Sequence, residues 1–221
     1  MNQIKPIKSI GMRKPLVDGP EKVSGKALYS ADFIPADCLV GRIFRSPISH
    51  GEIIEVDVSK AEALPGVKAV ITGDVTDETF GVLPIARFEY PLARDKVRYK
   101  GEPVACVAAI DAETAQKAIE LIKFKYKELP AYFTSKDAMA KGSVNIHDHR
   151  EGNIERDVDF DLGETDDGLE AADLIMEETY NCAEIAQVQS EPHAAIAEYD
   201  AIRDFMTVRA CTQVPYYGHK M

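Results

Sequence analysis

Apolar residues along this chain change period several times, and each change marks an element. From about Leu39 the stretches "VGRIFRSP" and "EIIEVDVS" read as strands, the second setting Ile54, Val56 and Val58 against Glu55 and Asp57. Between them "SPISHG" is a turn or loop. In "SKAEALPG", Ser59 is placed to cap a short helix, with Glu62 closing a capping box before Pro65 and Gly66 end it. "VKAVITG" follows as a buried strand with Val67, Ala69 and Ile71 on one face. "EPVACVAAI" is a continuous apolar run, as expected of a central strand covered on both faces. Asp111 then caps "AETAQKAIELI", where Ala115, Ala118, Ile119 and Ile122 recur at helical spacing. "IKFKYKELP" alternates Ile122, Phe124 and Tyr126 with three lysines, a strand with one wet face. Strand, helix, strand in this order predicts a βαβ-type unit.

The pattern lapses in three places. The first thirty residues, rich in Gly, Pro and Lys, keep no period and predict an extended arm without a helix. "DETFGVLPIARFEYPLARD" is a long aperiodic excursion with several aromatics, either kept for function or a loop folded back over the core. From about Thr134 to Asp167 the composition turns to Asp, Glu, Gly, Asn and His, which predicts an exposed connector. Beyond it, a short helix "DGLEAADLI" leads into three strand candidates, "ETYNCAEIAQVQ", "AAIAEYD" and "FMTVRACTQ". The resulting organisation is an N-terminal arm over 1–24, an α/β domain over 25–134, a connector over 135–167 and the start of a second domain over 168–221. Three strands and one helix hold little core of their own, so this last region is expected to be covered by something else.

Composition narrows the class. With 221 residues, 45% of them hydrophobic, the chain can bury a core as one large or two small domains. It has no apolar run of membrane-spanning length and no apolar signal-peptide segment, so a cytoplasmic address and no membrane partner are expected. A net charge of −11 opposes nucleic-acid binding. The basic stretch "ARDKVRYKG" reads as a solvated strand face. Of the four cysteines, three sit in apolar strand-like runs and are expected to be reduced and buried. No CxxC pair points to zinc or an iron–sulfur cluster.

Candidate chemistry is sparse. His147 and His149 in "HDHREGN" are spaced to share a metal, although no third ligand stands near them. His193 beside Glu191 is either an acid–base pair or a hydrogen-bonded corner. No nucleophile elbow, phosphate-binding loop or dinucleotide fingerprint occurs, and residue chemistry alone names no enzyme class.

Three stretches taken in order carry a resemblance: "RSPISHGEIIEVDVSKAEALPGVKAVITG", "ARDKVRYKGEPVACVAAIDAETAQKAIELIKFKYKELPA", and "SEPHAAIAEYD" followed by "TQVPYY". They resemble the molybdenum-binding large subunit of the xanthine dehydrogenase and aldehyde oxidase family. The first two look like its α/β hammerhead domain and the third like the opening strands of its molybdopterin-binding domain, an α+β fold class overall. Within the family, "PLVDGPEKVSGKALYSAD", "CLVGRI" and "FGVLPIARFEYPLARDKVRY" are similar to the 4-hydroxybenzoyl-CoA reductase α subunit.

The resemblance implies one cofactor contact here. The Gln of the "TQ" motif, Gln213, would hydrogen-bond an oxygen ligand on molybdenum; a neutral amide donor suits such a place. It further implies reductive removal of a ring hydroxyl from an aromatic CoA thioester, with iron–sulfur clusters and FAD on partner subunits. The rest of the molybdopterin site, including the family's catalytic Glu, is expected outside these 221 residues, so no catalytic residue is assigned and the isolated chain is expected to be inactive. Phe88 and Tyr90, in the excursion, are candidates to line a path for the aromatic substrate. Two other readings stay open: a non-catalytic hammerhead interaction module, and a truncated relic of another molybdenum hydroxylase.

Overall fold

The computed structural model describes residues 11–81, 87–160 and 162–220. These divide into two units, one built from residues up to Ala36 together with Ala186–Pro215, the other from Asp37–Ile185 together with the residues from Tyr216. In chain order the regular elements are α1 (Gly19–Val23), β1 (Val40–Arg45), β2 (Gly51–Asp57), α2 (Ser59–Glu62), β3 (Val67–Thr72), β4 (Lys96–Val97), β5 (Pro103–Ala109), α3 (Ala112–Leu121), β6 (Lys123–Glu128), α4 (Ser135–Ala138), α5 (Thr165–Glu170), β7 (Ala195–Asp200), β8 (Phe205–Ala210) and α6 (Pro215–Lys220).

In the larger unit β5 lies between β1 and β3, antiparallel to both. Its residues Ala105, Val107 and Ala109 face α3 and pack, wholly buried, against Ala115 and Ala118 of that helix. Small side chains on both sides let the helix lie close to the sheet. Val104 faces the other way, into a second cluster with Ile48, Ala93 and Val97. A strand buried on both faces needs the unbroken apolar run that β5 carries. Asp111 starts α3 as expected, its carboxylate accepting from the Thr114 N–H at 2.7 Å.

The second sheet of this unit has the order β4-β2-β6, again antiparallel. The βαβ expectation is therefore corrected: β5 and β6 belong to different sheets, and α3 links two layers instead of crossing over to a parallel neighbour. Phe44 and Val56 pack against both apolar clusters, and Phe44 meets Phe124 edge to face at 5.8 Å. On the wet face, Lys127 pairs with Glu52 at 3.1 Å, Lys125 with Glu55, and Lys123 with Asp57 at 3.5 Å. These exposed pairs fix register more than stability.

Two bulges overturn the expected alternation. Between β2 and β6 the register passes from Ile53 opposite Tyr126 to Glu55 opposite Lys125, so Ile54 is the extra residue and is 65% exposed. Ile53 and Val56 pack inward in its place. Between β3 and β5 the register slips after Val67, which turns Val67 and Val70 to the core and Ile71 outward. The helix start also differs. The first residue of α2 is Ser59, not its cap, and Asp57 supplies the acceptor for the Ser59 N–H and Oγ at 3.1 and 2.6 Å.

The smaller unit pairs β7 with β8 from Ala195 opposite Ala210 to Asp200 opposite Phe205. A 3-10 turn at Ser30–Phe33 packs on this hairpin, with the Arg209 guanidinium 5.7 Å from the Phe33 ring centre. The arm thus carries a helical turn at α1, started by Pro20, and a second at Ser30, where an unbroken extended chain was expected. The expected strand over 178–189 is absent: that stretch has no ladder partner among the described residues, and Tyr180, Ile185 and Val188 are exposed. None of the cysteines is buried, because Cys38, Cys106 and Cys211 are half-covered and Cys182 is exposed. Among the described residues no helix is long and apolar enough to cross a membrane.

Candidate functional site

Two clefts hold the residues to which the sequence pointed. The first, about 590 Å³, lies in the smaller unit and is lined by Gln187, Gln189, Glu191, His193, Cys211, Thr212, Gln213 and Val214. β8 ends at Ala210, so Gln213 sits in the turn before α6 instead of closing a strand. Its side chain is exposed and makes no hydrogen bond among the described residues. The turn is held from below. The Ala194 N–H donates to the Cys211 Sγ at 3.1 Å, the Cys211 N–H to the Ala194 carbonyl at 3.2 Å, and the Val214 N–H to the Thr212 Oγ1 at 3.1 Å.

His193 and Glu191 do not form a pair. The His193 Nε2 meets the Gln189 amide, while the Glu191 carboxylate accepts from the Ser30 N–H and hydroxyl at 3.3 and 3.4 Å. With Glu191 so engaged, the lining also offers the amides of Gln187 and Gln213, which carry no charge and make no hydrogen bond among the described residues. Among the described residues no cluster of three or more His, Cys, Asp or Glu is arranged to hold a metal. A neutral amide such as Gln213 is chemically suited to meet the ligands of a metal that a cofactor carries.

The second cleft, about 310 Å³, lies in the larger unit and includes Phe80, Phe88, Tyr90, Arg98, Tyr99, Glu102 and His147 in its lining. Phe88 and Tyr90, singled out from the excursion, both lie in it; Val82 to Ala86 of the same excursion fall outside the described residues. The excursion is pinned by an antiparallel bridge between Phe80 and Glu89, with N–H to O distances of 2.8 and 3.1 Å. Its far end is clamped at Gly73, where a Cβ would come within 2.5 Å of the Ala93 carbonyl oxygen. Only glycine lets the end of β3 approach that backbone.

His147 and His149 lie 5.7 Å apart between ring centres, and no third metal-binding side chain joins them among the described residues. Both pack edge-on to the Phe88 ring, at centroid distances of 5.1 and 4.5 Å, and the Arg150 guanidinium lies 5.4 Å from the same ring. Asn153 ties the loop that carries them, accepting from the Ile146 N–H at 2.7 Å and donating to the Ala138 and Val144 carbonyls at 2.8 and 3.1 Å. Lys96 adds an ion pair to Asp148 at 2.5 Å. The basic stretch is thus not a solvated face: Lys96 is buried and Arg94 is bonded to Asp77 at 2.6 Å.

Sequence reading passed over Arg98, Tyr99 and Glu102. The Glu102 carboxylate accepts from the Arg98 N–H, and the Arg98 guanidinium lies 4.0 Å from it. Burial raises the Glu102 pKa above the ordinary carboxylate range, against the lowering pull of Arg98. Burial also raises that of Tyr99, and burial followed by the Arg98 and His149 charges lowers that of His147. The available signal was a run of charges inside an otherwise apolar strand context, "KVRYKGEPVAC".

Residues 24–130 match the aldehyde oxidase and xanthine dehydrogenase a/b hammerhead domain, and residues 146–221 match the molybdopterin cofactor-binding domain. The chain belongs to the xanthine dehydrogenase and aldehyde oxidase family. Among relatives from this family, the nicotinate dehydrogenase large molybdopterin subunit of Eubacterium barkeri is 34% identical over 210 residues, covering 94% of this chain and 48% of the relative. The xanthine dehydrogenase molybdenum-binding subunit of Escherichia coli is 31% identical over 212 residues, covering 90% of this chain and 28% of the relative. Quinoline 2-oxidoreductase from Pseudomonas putida 86 superposes with a TM-score of 0.77 at 27% identity, over 89% of this chain and 26% of its own. The chain spans less than half the length of these family members. The hammerhead match accordingly takes in β1 to β6 of the larger unit, and the cleft at Gln213 lies in the stretch matched to the molybdopterin-binding domain.

Proposed function

We propose that this chain contributes the hammerhead domain and the first wall of the cofactor site to a molybdenum-dependent oxidoreductase acting on a small aromatic substrate. The observation that carries the reading is the position of Gln213, whose exposed amide lines a cleft furnished mainly with neutral donors inside the molybdopterin-binding match. In such an enzyme the bound cofactor supplies two-electron chemistry at the substrate. Gln213 would hold the cofactor through its amide N–H, adding no charge of its own, while Gln187 and Thr212 extend the same polar wall. The remaining walls, and partner subunits carrying iron–sulfur clusters and FAD, belong to the proposal.

The finer reading is a 4-hydroxybenzoyl-CoA reductase, with Phe88 and Tyr90 lining the substrate path. It is supported by the likeness of residues 80–99 and by the aromatic cleft which those residues build. Nicotinate and xanthine, which appear in the relatives' names, mark the alternative of a dehydrogenase acting on a nitrogen heterocycle.

The test is made on the complete protein in which this chain occurs. Molybdenum per polypeptide is measured for wild type and for Gln213→Ala, together with turnover of 4-hydroxybenzoyl-CoA and of nicotinate. One molybdenum per wild-type polypeptide, with its electron paramagnetic resonance signal altered by Gln213→Ala, is expected. An unaltered signal would remove Gln213 from the cofactor. Stoichiometric molybdenum on the isolated 221-residue chain would overturn the dependence on further walls.

A further inference from the structure

The Gln213 side chain is exposed and makes no hydrogen bond among the described residues, so its aim depends on the backbone to either side of it. It lies beyond the last ladder pair of the hairpin, Ala195 opposite Ala210. One flank is fixed by the neighbouring strand. The Cys211 N–H donates to the Ala194 carbonyl at 3.2 Å, the Cys211 Sγ accepts the Ala194 N–H at 3.1 Å, and the same sulfur lies 3.4 Å from the Pro192 carbonyl oxygen. These contacts carry the pairing one residue past β8. They also join the two stretches that line the cleft, one ending at His193 and the other starting at Cys211.

On the other flank the Val214 N–H donates to the Thr212 Oγ1 at 3.1 Å. A hydroxyl that accepts from the amide two residues on closes a small turn around the residue between them. Here the residue between is Gln213.

We propose that Thr212 is the positioning residue of this wall: by holding the Val214 N–H, its hydroxyl sets the direction in which Gln213 presents its amide to the cleft. The ladder alone anchors the chain only as far as Cys211, and the turn supplies the second anchor. The backbone at Gln213 is thereby ordered before any ligand arrives, and a donor already in place loses less freedom on binding than one that must be ordered. Thr212 is itself exposed, so its side chain has little packing to lose and its hydrogen bond is what a substitution removes. Valine keeps the shape without the oxygen, and serine keeps the oxygen without the methyl group. The turn stands on its own geometry, while its consequence for a cofactor rests on the reading of Gln213 given above.

The experiment uses two forms of the protein. On the 221-residue chain, hydrogen exchange at the Val214 amide is followed by nuclear magnetic resonance in wild type, Thr212→Val and Thr212→Ser. Thr212→Val should speed the exchange roughly fivefold, the scale of one lost hydrogen bond, and Thr212→Ser should leave it close to wild type. In the complete enzyme, the molybdenum electron paramagnetic resonance signal is compared in the same variants, with Gln213 present and with Gln213→Ala. Thr212→Val should alter the signal and Thr212→Ser should not. The alteration should shrink in the Gln213→Ala background, because a residue that acts through another loses its effect once that other is removed. Exchange at Val214 changed less than twofold by Thr212→Val would overturn the proposal. So would a signal that Thr212→Val leaves untouched although Gln213→Ala alters it, or an equal alteration in both backgrounds. Failure of the cofactor reading looks different: Gln213→Ala leaves the signal unaltered while Thr212→Val still speeds the exchange, and the turn then aims Gln213 at something other than molybdenum.

Discussion

The face where β5 meets α3 and the stretch over 178–189 carry similar apolar content, yet one is closed and the other is open. Ala105, Val107 and Ala109 are wholly buried because α3 follows directly and returns Ala115 and Ala118 onto them. Tyr180, Ile185 and Val188 stand 86%, 86% and 81% exposed because no described segment returns to them. The difference lies in the partner and not in the residues. An apolar pattern becomes structure only where the chain also supplies the opposing face.

The strongest test of the closed side is Ala118→Asp. The helix face at this position admits no water, so a carboxylate there is left without a partner, and a loss of about 4 kcal/mol or more is expected, with unfolding at ambient temperature as the extreme. Chemical denaturation followed by far-ultraviolet circular dichroism measures it. A loss below about 1 kcal/mol would show that this helix is not sealed onto β5.

Gly73→Ala probes the clamp at a smaller scale. The added Cβ would meet the Ala93 carbonyl oxygen at 2.5 Å, backbone against backbone, and overpacking of this kind costs about 1–3 kcal/mol. Because Ala93 lies near the end of the excursion that carries Phe88 and Tyr90, the variant should also lower turnover of the complete enzyme. Stability and turnover measured together separate a local shift from general unfolding.

The loop over the Phe88 ring should respond to pH. The His147 pKa is lowered in the folded protein, chiefly by burial and then by Arg98 and His149. Its contribution is therefore fully present above its unfolded value, near 6.5, and is lost as pH falls through the lower folded value. Glu102 has the opposite sense. Its raised pKa gives a contribution present below the ordinary glutamate range and lost as pH rises through the folded value. His147→Gln should flatten the acid side of the stability profile, and Glu102→Gln, which keeps an acceptor for the Arg98 N–H, should flatten the other. Profiles of both variants parallel to wild type would mean that neither group is coupled to folding.

Much of the closed region was legible in the sequence because its signals are local. The Asp111 cap, the α3 stripe and the β5 run each need only their own residues and immediate neighbours. What sequence missed depends on partners far along the chain. A strict period of two put Ile54 and Ile71 inside, but bulges against β6 and β5 turned both outward, and nothing in "EIIEVDVS" or "VKAVITG" announces a slipped register. The same holds at the sites. Gln213, Phe88 and Tyr90 were visible through their motifs, whereas Arg98 and Glu102 gained their environment only when Phe88 and His147 were brought to them across 10 or more positions.

Ile185→Asp addresses the open side and has the smallest expected effect. A side chain that is 86% exposed loses almost no burial when replaced, so the isolated chain should change by no more than about 0.5 kcal/mol. Placing the same substitution in the complete protein sharpens the contrast. If further walls cover 178–189 there, burying a carboxylate among them costs several times more, about 2 kcal/mol or above, and the two measurements differ although the residue and the mutation are identical. Equal, negligible losses in both forms would place this stretch on a solvent-facing surface of the whole enzyme. A large loss in the isolated chain would mean instead that the apolar run already has a partner within these 221 residues, and the contrast between the two regions would disappear.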